Sequence, residues 1–107
     1  MSADAARDVP IACDLDAESL VARIVEWREL VASAVISLER GPSSVRLTLV
    51  DSDEALVAAA SLGQREKQCC AFFDVSIDIG PEQRALVLSV PRDADELLAT
   101  FVAALTE

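Results

Sequence analysis

The chain has 107 residues, with 9 basic and 19 acidic side chains, a net charge of −10, 52% apolar residues, three cysteines, three glycines and no histidine. That size and balance fit one globular domain rather than a disordered segment. The charge argues against nonspecific binding to nucleic acid or anionic lipid, the missing histidine removes Ser-His and Cys-His nucleophile pairs and His-ligated metal sites, and the isolated glycines leave no phosphate-cradling loop.

The opening run from Met1 to Asp8 mixes acids with Arg7 and lacks the apolar core of a signal peptide. A flexible tail is expected over 1–10 and a single domain over 11–107. No apolar run approaches the ~20 residues of a membrane span, so no membrane contact and a cytoplasmic setting with reduced thiols are expected. An odd number of cysteines also speaks against a closed disulfide framework.

A short strand is expected over 11–14. A helix follows, with Leu20, Ile24, Trp27 and Val31 on one stripe at i, i+4, i+7 and i+11. Strands over 34–40 and 45–50 flank the turn Gly41-Pro42-Ser43-Ser44. At Asp51 the pattern restarts: a helix through Leu56, Ala59, Leu62 and Gly63 runs towards Cys69 and Cys70. Strands over 72–79 and 84–90 then flank the turn Gly80-Pro81-Glu82-Gln83. Alternation in the third strand sets Phe73, Val75, Ile77 and Ile79 against Asp74, Ser76 and Asp78, and sends Phe72 and Phe73 to opposite faces. The acids of that strand read as a solvent face. A closing helix carries Leu97, Leu98, Phe101, Val102 and Leu105, with Asp93 and Glu96 spaced as a capping box; Asp51 and Glu54 have the same spacing. Acids at helix starts account for much of the charge.

The fold class that follows is α+β: a mainly antiparallel sheet of four or five strands backed by three helices. Its first six elements run in the ferredoxin-like order β-α-β-β-α-β, with an extra strand and helix appended.

Reactive side chains are dense only in Glu66-Lys67-Gln68-Cys69-Cys70. If the helix persists through Cys70, Glu66, Cys69 and Cys70 share one face at i, i+3 and i+4. Cys13 on the first strand supplies a third sulfur. Such a set suits soft or thiophilic ions, Zn(II), Cu(I), Hg(II) or As(III), rather than Mg(II) or Ca(II). The opposing reading is that cysteines are often buried core residues, that a helix C-terminus disfavours a thiolate, and that Arg65 and Lys67 offset this only in part. Trp27 reads as a core residue.

The segment Glu66-x-x-Cys69-Cys70-x-Phe72, with the opening Ile11-Ala12-Cys13-x-Leu15 and the helix motif Trp27-Arg28-x-Leu30, resembles a family of small bacterial proteins. These are similar to the domain appended to some MerR-type transcription regulators. The resemblance runs from about Ile11 to Leu105, with Ala71 where proline is frequent in the family. It groups Cys13, Glu66, Cys69 and Cys70 in one pattern and implies association with a regulator of thiophilic-metal or redox response. The sequence holds no helix-turn-helix portion, so direct contact with nucleic acid is not expected.

Three functions from different classes follow. The first is a thiol-based binding or sensing domain in which Cys13, Cys69 and Cys70, with Glu66 alongside, hold a soft metal or metalloid. The second is an interaction or homodimerisation module with structural cysteines. The third, ranked last, is a small thiol enzyme in which Glu66 or Arg65 assists Cys69 or Cys70, since no histidine is there to do so.

Overall fold

The computed structural model describes residues 17–70 and 72–106, the side chains of Ala17 and Cys69 apart. The expected strand over 11–14, and with it the fifth strand and the ferredoxin-like order, falls outside those residues. Within them the elements run α1 (Ala17–Ala34), β1 (Val35–Gly41), β2 (Ser44–Leu49), α2 (Asp53–Cys69), β3 (Asp74–Ile79), β4 (Arg84–Ser89), a short 3-10 turn (Arg92–Ala94) and α3 (Asp95–Leu105). The chain is α+β with a four-stranded sheet in the order β1-β2-β4-β3, antiparallel at every pairing. The repeated helix–strand–strand pattern has a simple spatial meaning. Each unit folds as a helix and a hairpin, and the second strands of the two hairpins meet at the centre of the sheet.

Two-residue periodicity decides which face is covered. Val45, Leu47, Leu86 and Leu88 are fully buried on one face, where Val45 lies opposite Leu88 and Leu47 opposite Leu86. Trp27, Leu30, Ala34, Ala59, Leu62, Leu98 and Leu105 from the helices close over them. The other face carries Ser37 and Glu39, Arg46 and Thr48, Ala85 and Val87, and the exposed Asp74, Ser76 and Asp78, which fits the solvent-face reading of the last three. A sheet with one face covered by helices is the usual outcome of such alternation, although Thr48 and Ala85 are buried on the other face too.

Three local expectations are corrected. The buried stripe of α1 is Trp27, Leu30 and Ala34, continued towards the N-terminus by the half-buried Arg23; Leu20 is 42% exposed, and Ile24 and Val31 only flank the core. The cap of α2 is Ser52, whose hydroxyl accepts from the Ala55 N–H at 3.2 Å, rather than Asp51. The capping box at Asp93 and Glu96 does not form, because 92–94 make a 3-10 turn and α3 begins at Asp95 with no side-chain cap. Asp95 instead reaches across the fold. Its carboxylate accepts from the Ser43 N–H at 3.1 Å and lies 3.6 Å from Arg40, tying α3 to the first hairpin turn.

Gly63 lets α2 lie close on the sheet, for a Cβ there would fall 2.8 Å from Val75 Cγ1 and 3.3 Å from Leu86 Cδ1. Leu86 is fully buried and Val75 half-buried against the core. Gly63→Val is expected to cost about 1–3 kcal/mol by overpacking, read from urea unfolding. Ser43, by contrast, sits in the hairpin turn at φ 65°, a region costly for any residue with a Cβ. Ser43→Gly keeps the N–H that Asp95 uses, so a gain of up to about 1 kcal/mol is expected in the same measurement.

Candidate functional site

Glu66 and Cys70 are four residues apart, so one turn of α2 stacks them on the same side. The helix ends at Cys69, and Cys70 is its C-cap, held by a hydrogen bond from its N–H to the Glu66 carbonyl at 2.7 Å. Arg23 and Trp27 have the same spacing on α1. The two helices pack against each other, and these two pairs meet at their contact.

At the centre is a buried carboxylate: Glu66 is 3% exposed. Its Oε1 accepts from the Trp27 indole Nε1 at 2.7 Å, and Arg23 Nη1 lies 3.7 Å away. Its other oxygen, Oε2, accepts from the Cys70 sulfhydryl at 3.3 Å. Burying a carboxylate is costly unless it is paired and hydrogen-bonded, and here a neutral donor, a guanidinium and a thiol converge on it. Cys70 is itself 3% exposed. Trp27, fully buried, meets Phe101 edge-on at 5.4 Å, and Phe101 meets Phe73 at 5.5 Å. An aromatic wall therefore keeps water from one side of the polar cluster.

The sequence expectations fare unevenly. Glu66 and Cys70 are brought together. Cys13 and the side chain of Cys69 lie outside the described residues, and among the described residues no three His, Cys, Asp or Glu side chains form a group able to hold a metal ion. Phe72 and Phe73 do not alternate across a sheet. β3 starts at Asp74, the Phe73 N–H bonds the Cys70 carbonyl at 3.0 Å in a tight turn, and the two rings stack at 5.0 Å and 23°. Arg65 is engaged elsewhere, 2.8 Å from Glu26. The cation beside the carboxylate is Arg23, which sequence reasoning missed. Its signal was the i, i+4 spacing to Trp27 on a stripe one step round from the one chosen. Trp27 is a core residue as expected, and it is also a polar member of the cluster.

What the arrangement can do chemically is limited and specific. The carboxylate accepts, the thiol donates, and both residues are 3% exposed. The pair holds the sulfhydryl in one place against a buried carboxylate, and in general a soft metal ion displaces a thiol proton as it binds. Set against family models, curated proteins and solved structures, the chain finds no match.

Removing the indole donor by Trp27→Phe is expected to cost about 1.5–3 kcal/mol for the hydrogen bond to a charged acceptor alone. In a double-mutant cycle with Glu66→Leu, the combined loss in urea unfolding is expected to be smaller than the sum of the single losses. Additive losses would mean that the indole and the carboxylate contribute independently.

Proposed function

We propose that the chain is a small thiol-containing binding or sensing domain that takes a soft metal or metalloid through Cys70, with Cys69 and Cys13 as the further sulfurs and Glu66 beside them. The observation that carries this reading is the buried Glu66 carboxylate accepting the Cys70 sulfhydryl while Trp27 and Arg23 hold it from the other side. An ordinary core cysteine needs only apolar neighbours. This one is set against a carboxylate that the fold has spent three donors to bury.

Sequence position suggests the rest of the set: Cys13 lies four residues before Ala17, where α1 begins and leads on to Arg23 and Trp27 of the cluster. A strand over 11–14, in the ferredoxin-like order, would carry Cys13 there. Cys69 ends α2 next to Cys70. Sulfur donors in this number suit Zn(II), Cu(I), Hg(II) or As(III), with Glu66 as a neighbouring hydrogen-bond acceptor or fourth ligand. The resemblance to the domain carried by some MerR-type regulators supports the same reading, with a regulator protein as the partner and the cytoplasm as the setting. A thiol enzyme is less well supported, since Cys70 is buried. The burial of Cys70 favours, as second reading, a structural cysteine in an interaction or dimerisation module.

The test is a thiol count on the reduced full-length chain before and after Hg(II), As(III) or Zn(II), with Trp27, the sole tryptophan, as internal fluorophore. Stoichiometric metal is expected to protect the thiols from DTNB and to change Trp27 emission. Cys13→Ser is expected to weaken protection without abolishing it. Three freely reactive thiols that no metal protects would remove the metal-site reading and leave the module.

A further inference from the structure

The outer edge of β3 has no use in the site above. β3 pairs with β4 on one side only, and among the described residues no strand lies along its other side. The N–H and C=O groups of such an edge are a template for one more strand. Alternation makes this template two-sided. Towards the helices Val75 is half-buried, while Ile77 is 36% and Ile79 62% exposed. Val75 and Ile77 border a shallow groove of about 400 Å³ completed by Ala60, Gln64, Lys67 and Gln68. Towards the helix-free face stand Asp74, Ser76 and Asp78, all exposed. Arg46 reaches Asp78 at 3.0 Å yet leaves its side chain 56% exposed, and Asp74 has no ion pair among the described residues.

Charge selects the occupant. A second copy laid against this edge would put the Asp74 and Asp78 carboxylates of both chains on one face, between two molecules of net charge −10 each. Like charges on facing strands are destabilising. The acids thus block pairing of the edge with itself and favour a strand of opposite charge. On the helix side the one cation lining the groove among the described residues is Lys67, which repels a basic side chain and leaves the apolar contact as the attraction there.

We propose that the outer edge of β3 takes up, as an added strand, an extended segment of a partner protein in which apolar and basic residues alternate. Its apolar side chains cover Val75, Ile77 and Ile79, and its lysines or arginines lie over Asp74 and Asp78. Main-chain hydrogen bonds supply the affinity, and the two faces supply register and specificity.

The test uses the full chain and two short synthetic peptides, one alternating valine and lysine, the other valine and glutamate. Binding is read from backbone amide shifts and from hydrogen exchange along β3. The lysine peptide is expected to bind, to slow exchange of the outer β3 amides, and to weaken as salt rises. Asp74→Lys, at an exposed residue, is expected to lower that affinity at least about tenfold, equivalent to about 1.4 kcal/mol, and Ile79→Thr is expected to weaken it as well. Equal binding of the glutamate peptide, or lysine-peptide binding that leaves β3 exchange unchanged, would overturn the proposal. Self-association of the wild-type chain that Ile79→Thr abolishes would overturn it too, by making a second copy the occupant. Slow exchange of the outer β3 amides in the chain without peptide would overturn it as well, by making the strand over 11–14 that the thiol-site reading invokes the occupant, an outcome that leaves the thiol site standing.

Discussion

The buried carboxylate of Glu66 is the constraint around which the helical layer is organised. A carboxylate taken out of water must recover its lost hydration from protein donors, or the fold loses several kcal/mol. Those donors come from two directions: the indole and guanidinium from α1, the sulfhydryl from the end of α2 itself. Apolar packing alone would tolerate α1 sliding along α2 by part of a turn. Satisfaction of Glu66 does not, because only one register brings Trp27 Nε1 and Arg23 Nη1 to the same oxygen. The Trp27–Phe101–Phe73 contacts then carry that register on to α3 and to the start of β3.

Dependence on one polar cluster has a cost for the thiol. Cys70 is where it is because its N–H closes the last turn of α2 and its sulfhydryl completes the coordination of Glu66. Any ligand that takes the sulfur disturbs the same carboxylate that aligns the helices. The sulfur and the helix packing thus share atoms, and under the proposed binding function occupancy of the sulfur would be felt in the packing of α1 on α2.

Much of the fold is legible in the sequence, because strands with one buried face announce themselves by alternation and the repeated Gly-Pro turns mark the hairpins. The failures have separate physical causes. Leu20 looks like a stripe residue and is 42% exposed, while Arg23 looks like surface and reaches inward, since a long side chain with a charged head can satisfy a buried partner that periodicity does not register. Ser52 rather than Asp51 caps α2, a one-residue offset that spacing cannot resolve. Phe72 and Phe73 break the strand pattern because the chain makes a tight turn at Cys70 before β3 begins. The pairing of Trp27 with Glu66 joins residues 39 apart. Nothing local encodes such a contact; it exists only once both units have folded.

The contact between Asp95 and the first hairpin turn works on a longer span still, closing a loop of 52 residues between Ser43 and Asp95. The central β2–β4 pairing shortens that closure by bringing the two units together, so the two contacts support each other. The first turn of α3 thus acts as a clasp on the first hairpin. Opening of the closing helix away from the sheet, should it occur in the native state, would begin by releasing the Ser43 amide. The hairpin turn is then the place where loosening of the far end of the chain would first be felt.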